Sequence, residues 1–189
     1  RKEITYKLRN GIKYRTRAKT ADRTIINEMW IHHIYTPKGF EIRDNDTVVD
    51  IGAHIGFFSI FASTRARNGR VFAFEPTSEN YRRLNENIAI NKIKNITAFN
   101  EAVGGKDGKA KIFLSEHNTG GHSFFHSKKN SEKTVTVPVV SLKSFIKKNR
   151  LNEINLLKMD CEGAEYSILL NTPRQTLEKI KKISMEYHN

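Results

Sequence analysis

The chain has 189 residues, with 33 lysines and arginines against 20 aspartates and glutamates, which gives a formal net charge of +13. This length suits one domain with a proper core, and no apolar run is long enough to cross a membrane as a helix. Cys161 is the single cysteine, which excludes an internal disulfide, and no secretory signal opens the chain. We therefore expect a cytoplasmic protein.

The positive charge has three interpretations: a nucleic-acid-binding face, affinity for anionic membrane or glycolipid surfaces, or simply a basic proteome. The lysines and arginines are spread along the whole chain, and no arginine-rich arm interleaved with aromatic residues is present. We expect only weak, non-specific nucleic-acid binding, because scattered lysines neutralise phosphates without reading bases.

The first 46 residues form an extension before the main unit, which we place at 47–189. Alternating residues at 4–8 and 12–15 flank Asn10-Gly11, which predicts a β-hairpin. The apolar spacing over 22–35 then predicts a helix. Glu28 lies on this helix and could reach a site in the main unit.

A strand, a glycine turn and a helix are predicted over residues 47–66. The run 47–51 is β-branched and apolar, and Asp50, Gly52, Ala53 and Gly56 follow the pattern D-x-G-x-x-x-G. A dinucleotide site has a different glycine spacing, and an acid here would repel phosphate. An acid suits a ligand with a cationic head, which indicates S-adenosylmethionine (SAM).

The next two strands end in further candidate binding residues. The strand predicted at 70–74 is followed by Glu75 and Pro76, roughly twenty residues after the glycine turn, where an acid can accept hydrogen bonds from both ribose hydroxyls. The strand predicted at 95–100 is followed by Glu101 and Ala102, which we expect to face the adenine.

Two alternating segments, 109–114 and 133–140, predict an inserted β-hairpin. The 18 residues between them, 115–132, are long for a loop, and we expect a mobile lid over the acceptor. This loop contains three histidines, which we interpret as solvated because no paired His or Cys spacing supports a zinc site. They are His117, His122 and His126.

Three acids follow a buried strand predicted at 154–159: Asp160, Glu162 and Glu165. Open α/β sheets place their ligands at this end of their strands. Asp160 is our first candidate both for contact with SAM and for the catalytic base, with Glu162 and His188 as alternatives. Asp160 and Glu162 could instead hold Mg²⁺, whose preferred ligands are oxygens. A last strand is predicted at 180–187.

Four runs of this sequence resemble the FkbM family of class I SAM-dependent methyltransferases. They are V-D-I-G-A-H-I-G at 49–56, F-E-P at 74–76, L-K-M-D-C-E-G-A-E at 157–165 and M-E-Y-H at 185–188. The third run is the most specific, and the resemblance covers roughly 8–189. His54 stands where the family more often has Asn.

The resemblance implies a doubly wound, Rossmann-like α/β sheet and SAM as cofactor. It implies O-methylation of a hydroxyl on a sugar, a glycolipid or a polyketide-like small molecule. Such a sheet usually ends with two more strands, which are missing after 189, disordered or outside this chain. The alternatives are an RNA methyltransferase, suggested by the positive charge, and a non-catalytic SAM-fold binding module. The sequence does not indicate an oligomeric state.

Overall fold

The computed structural model describes residues 3–18, 20–114 and 133–186. In chain order the elements are β1 (Glu3–Lys7), β2 (Lys13–Arg17), α1 (Asp22–Asn27), a π-helical turn (Glu28–His32), β3 (Thr47–Ile51), α2 (Phe57–Arg65), β4 (Arg70–Phe74), α3 (Ser78–Ile90), β5 (Ile96–Phe99), β6 (Ala102–Gly104), β7 (Gly108–Phe113), β8 (Thr134–Ser141), α4 (Leu142–Lys148), β9 (Leu156–Met159), α5 (Glu165–Asn171), α6 (Arg174–Leu177) and β10 (Ile183–Met185).

The central sheet has five described strands, all parallel, in the order β10-β9-β3-β4-β5. Successive side chains of β3 point to opposite faces of the sheet. Val49 and Ile51 pack with α4 and α5, whereas Val48 packs with α2 and the N-terminal extension. Both faces are covered, which explains why the strand sequence is apolar throughout. The predicted doubly wound α/β fold is confirmed.

The predicted N-terminal hairpin is also confirmed, with Glu3 paired to Arg17 and Lys7 paired to Lys13. It lies against α3, where the amide oxygens of Asn87 and Asn91 accept hydrogen bonds from β2 backbone N–H groups at 2.7 and 2.8 Å. These hydrogen bonds satisfy backbone N–H groups on the outer edge of β2. They stabilise a two-stranded hairpin that would be only marginally stable alone.

The helix predicted over 22–35 is interrupted. Helix α1 widens into the π-helical turn, and His33 adopts a left-handed conformation with φ of 51° that ends it. The backbone N–H of His33 donates to the carbonyl of Glu28, five residues earlier, which is the bonding of a π-bulge. The chain then turns inward and buries Tyr35 against the core.

The predicted inserted hairpin is confirmed as β7 and β8, which pair from Gly108↔Val139 to Phe113↔Thr134, while β8 also pairs in parallel with β6. The predicted lid, 115–132, lies outside the described residues. The last strand is shorter than the predicted 180–187, although a bridge between Ile154 and Ile180 extends its pairing backwards. No helix in the described part of the chain is long and apolar enough to cross a membrane.

Candidate active site

A cavity of about 300 Å³ opens at the carboxyl ends of the parallel strands, where such sheets bind their ligands. Acidic side chains that follow β4, β5, β9 and β10 converge on it, together with one from the N-terminal extension. Only one lysine or arginine, Lys158, is among its described lining residues. The cavity is therefore acidic although the whole chain has a net charge of +13. Its acids are Glu28, Glu75, Glu101, Asp160, Glu162 and Glu186.

The glycine turn after β3 brings two loops together. Gly52 has a φ of +78°, and a Cβ added there would lie 1.8 Å from the backbone oxygen of Asp160. A side chain at this position would therefore push the two loops apart. Gly56 has a φ of +94° at the start of α2, where a Cβ would meet Leu84 at 2.6 Å. Gly52 lines the cavity, whereas Gly56 shapes the turn from behind it.

Glu75 is buried at the end of β4, with 5% of its surface exposed. Its carboxylate accepts hydrogen bonds from the backbone N–H groups of His54 and Thr77, both at 2.9 Å. Burial raises the pKa of Glu75 to about 7, although these hydrogen bonds oppose the rise. Asn80 also reaches Glu75, at 3.5 Å, and is held in turn by Arg17 of β2 at 2.7 Å.

Asp50 does not line the cavity but lies beneath it. It is fully buried, and its carboxylate forms an ion pair with Lys158 Nζ at 3.0 Å and accepts a hydrogen bond from the Ser59 hydroxyl. The two strands pair Asp50 directly with Lys158, so both side chains point to the same face. The sequence predicts that Asp50 contacts the ligand. From its place beneath the cavity, Asp50 would act on a ligand indirectly, through the glycine turn.

Lys158 connects this buried pair to the cavity. Its ammonium donates to the carbonyl of Gly52 at 2.9 Å and lies 3.9 Å from Oδ2 of Asp160. Burial opposes the charged form, but the carboxylates of Asp50 and Asp160 outweigh it and raise the pKa of Lys158. The lysine is therefore protonated, and it holds the glycine turn and the acidic loop in register.

Asp160 lies at the cavity wall with 27% of its side chain exposed. The hydroxyl of Tyr35 donates to its Oδ2 at 2.7 Å and lies 3.3 Å from Oε2 of Glu186. Burial and the neighbouring carboxylates, Asp160 first, raise the pKa of Tyr35 far above its usual value. The phenol thus stays protonated and acts as a donor between two acids.

The acidic loop after β9 is held by its last acid. Glu165 is 1% exposed and accepts hydrogen bonds from the backbone N–H groups of Cys161 and Gly163 at 2.8 and 2.9 Å. Glu162, between them, has a φ of +53° and lines the cavity. Glu165 therefore shapes the loop, whereas Asp160 and Glu162 face the cavity.

Most of the predicted site residues meet at this cavity. It is lined by Gly52, Ala53, Glu75, Pro76, Glu101, Ala102, Asp160 and Glu162. Asp50 and Gly56 lie behind its wall. His188 lies outside the described residues, as do the three histidines of the predicted lid.

The described residues give little support to the predicted Mg²⁺ site. Within 3–18, 20–114 and 133–186, no group of three or more His, Cys, Asp and Glu side chains could hold a metal ion. Asp160 already accepts the Tyr35 hydrogen bond, and the ammonium of Lys158 lies beside the same oxygen. A second cation would have to compete with that ammonium, so these donors do not fit a resident metal.

Sequence reasoning did not assign a role to three residues of this site. Tyr35 lies in the turn that follows the π-helical segment and Asn80 lies in the first turn of α3, and only the fold brings them to the cavity. Lys158 had a usable signal, because a lysine within a buried strand needs a buried partner. Glu28, which the sequence indicates could reach a site in the main unit, lines the cavity.

Comparison with known proteins agrees with the fold and the sequence motifs. The family model described as "Methyltransferase FkbM domain" matches residues 50–189. The 31-O-demethyl-FK506 methyltransferase FkbM of Streptomyces tacrolimicus is 21% identical over an alignment of 192 positions, which covers 87% of this chain and 74% of that protein. The AMB antimetabolite synthetase AmbE of Pseudomonas aeruginosa is 23% identical over an alignment of 199 positions, which covers 87% of this chain.

Among solved structures, the methyltransferase FkbM from Methylobacillus flagellatus KT superposes with a TM-score of 0.54 and 18% sequence identity, which shows a shared fold. That match covers 87% of this chain and 42% of the solved chain, while the match to AmbE covers 9% of AmbE. The sequence resemblance is thus confirmed by the family match over most of the chain. The chain belongs to the FkbM methyltransferase family.

Proposed function

We propose that this chain transfers a methyl group from SAM to a hydroxyl group of a small molecule such as a sugar, a glycolipid or a polyketide. The acidic cavity at the strand ends is the observation that supports this most. SAM has a positive sulfonium and a positive amino group and no phosphate, so six acids favour it over a dinucleotide. The relative from Streptomyces tacrolimicus is named for 31-O-demethyl-FK506, which supports an oxygen as acceptor.

The residues predicted from the sequence each have a proposed part in holding SAM. Glu75 would accept hydrogen bonds from the ribose hydroxyls, while Glu101, Ala102 and Pro76 would face the adenine. The turn at Gly52 and Ala53, with Asp160, would contact the methionine end. Asp50 and Gly56 would act from behind, by fixing the turn through Lys158 and through the start of α2.

SAM would supply an electrophilic methyl group on a positively charged sulfur. An alcohol is a weak nucleophile until it loses its proton, so the chain must provide a base beside the acceptor. Asp160 is the first candidate, because it lies at the cavity wall, where the Tyr35 hydroxyl donates to its carboxylate at 2.7 Å and the Lys158 ammonium lies 3.9 Å away. Glu162 and His188 are the alternatives.

Calorimetry and a methyl-transfer assay would test this proposal. We expect SAM and its demethylated product, S-adenosylhomocysteine (SAH), to bind, with Glu75→Ala weakening both by about 1–3 kcal/mol through loss of charge-assisted hydrogen bonds. Tighter binding of NAD than of SAM would overturn the proposal.

Transfer of labelled methyl from SAM to pooled sugars, glycolipids and polyketide alcohols would identify the acceptor class. Methyl transfer to a folded RNA at physiological salt would instead support an RNA methyltransferase, and SAH binding without any transfer would support a binding module. EDTA should leave activity unchanged if a carboxylate is the base. Loss of activity that Mg²⁺ restores would assign Asp160 and Glu162 to a metal.

A further inference from the structure

Tyr35 brings the N-terminal extension into the acidic cavity. It precedes the family-matched region, which begins at residue 50, so the family match assigns it no role. Its side chain is 8% exposed, and its ring packs edge-on against Phe58 at 5.6 Å between centroids. The ammonium of Lys158 lies 5.1 Å from the same ring. The phenol is thus held on several sides and points its hydroxyl at the acids of the cavity.

The contacts to Asp160 fix one of its two carboxylate oxygens. The Tyr35 hydroxyl donates to Oδ2 at 2.7 Å, and Lys158 Nζ lies 3.9 Å from that same Oδ2. Because a carboxylate rotates about one bond, anchoring one oxygen sets the direction of the other.

We propose that Tyr35 is a positioning residue for methyl transfer: it anchors Oδ2 of Asp160 so that the carboxylate meets the acceptor in one orientation. This inference rests on the proposed function. The charged groups that face the phenol are Asp160 and Glu186 at its hydroxyl, Lys158 over its ring, and Asp50 behind them. The phenol proton between Asp160 and Glu186 also reduces the repulsion between two carboxylates that would otherwise face each other.

Sinefungin provides a probe that needs no methyl acceptor. It is a SAM analogue with an amine-bearing carbon in place of the methylated sulfur, so its cationic amine occupies the place of the transferred methyl. SAH lacks that group. The ratio of the two affinities, measured by calorimetry, therefore reports the carboxylate beside the methyl position, while the SAH affinity alone reports the rest of the cavity.

We expect the wild type to prefer sinefungin, and Tyr35→Phe to reduce that preference about threefold to tenfold, the worth of one hydrogen bond, with SAH affinity unchanged. Asp160→Asn should also reduce the preference, and Tyr35→Phe should add nothing in that background, because both changes act on one carboxylate. The matched control is Tyr14→Phe, which removes a buried hydroxyl of the same extension away from the cavity and should keep the preference.

The ratio of the two affinities separates positioning from simple structural support, because a loss of structure would weaken SAH and sinefungin alike. An unchanged preference in Tyr35→Phe, additive effects in the double variant, or equal weakening of SAH and sinefungin would each overturn the inference. A wild type that binds neither compound overturns the proposed function, and this inference with it. SAH binding without the predicted ratio change overturns this inference alone.

Discussion

The carboxylate of Asp50 and the ammonium of Lys158 lie 3.0 Å apart on neighbouring parallel strands, and both side chains are almost completely buried. Their register in the sheet makes them direct neighbours on the α2 face. Lys158 is the only lysine or arginine among the described lining residues of the cavity, and Asp50 neutralises its charge. It thereby preserves the negative character of the cavity wall.

Removing one member of this pair should destabilise the protein strongly. We expect Lys158→Met to lower the free energy of unfolding by about 3–5 kcal/mol, because Asp50 would be left as a buried charge without its partner. The double variant Asp50→Asn, Lys158→Met should recover part of that loss. Urea denaturation of the three proteins would measure it, and full stability of Lys158→Met would contradict the prediction.

Glu75 should make the ligand-free protein less stable as the pH rises. Its pKa is about 7 in the folded chain against 4.5 as the ordinary value, so the folded state binds more protons between these two pH values. Stability therefore falls from about pH 4.5 to about pH 7, by about 3 kcal/mol at about 1.4 kcal/mol per pKa unit. Glu75→Gln should remove this part of the dependence in urea titrations at pH 4.5 and 7.5. The same slope in the variant would assign it to other groups.

SAH binding should respond to pH in the opposite direction. A ribose that donates hydrogen bonds to Glu75 favours its ionised form, so affinity should rise as the pH increases through about 7. Below that pH, binding should release a proton from Glu75. Calorimetry in two buffers with different ionisation enthalpies would detect the release. No proton release at pH 6, with normal affinity, would argue against Glu75 as the ribose contact.

Gly52→Ala should abolish SAH binding because the added Cβ would clash with the acidic loop. A second glycine with a positive φ, Gly11, separates this clash from backbone strain. Gly11 has a φ of +90° and nothing within 4 Å of an added Cβ, whereas at Gly52 the Cβ would lie 1.8 Å from Asp160 O. Gly11→Ala should lower the free energy of unfolding by about 1–2 kcal/mol, the strain of a left-handed conformation, and leave SAH affinity unchanged. Calorimetry and urea denaturation of both variants would test this. Normal SAH binding by Gly52→Ala would show that the loops can separate without harm.

The net charge of +13 should produce nucleic-acid binding of a weak kind. Scattered lysines neutralise phosphates without sequence preference, so affinity for random duplex DNA should fall steeply between 50 and 200 mM salt, by ~10²-fold or more. Fluorescence anisotropy with two unrelated duplexes would measure it. Tight, sequence-dependent binding at the higher salt would contradict the prediction.

The strand, turn and helix pattern predicted the central architecture because its signals are local. The β-branched run at 47–51, the glycines after it and the acid that ends β4 each reflect a backbone requirement that a sequence displays directly. The acidic loop after β9 was predicted for the same reason. The ion pair of Asp50 with Lys158, whose ammonium also lies near Asp160 Oδ2, depends instead on strand register, which no local pattern specifies.

The N-terminal extension was the hardest part to predict. Its helical spacing is real, but the π-helical turn and the left-handed His33 redirect the chain, and only then does Tyr35 reach Asp160. These are tertiary effects that outweigh local propensity. The predicted contact of Asp50 with the ligand stays a prediction: the acid is in the expected place on β3, and its carboxylate pairs with Lys158 beneath the cavity.

Trp30 is the only tryptophan of the chain, and it lies where the N-terminal extension meets α2. Its indole N–H donates to the Tyr14 hydroxyl at 3.0 Å, and its ring meets Phe61 edge-on at 5.2 Å. The residues before it, Glu28 and Met29, line the cavity. The protein thus has its single tryptophan at the contact that carries Tyr35 to the acids. Its emission maximum and quenching would report the docking of the extension without any label.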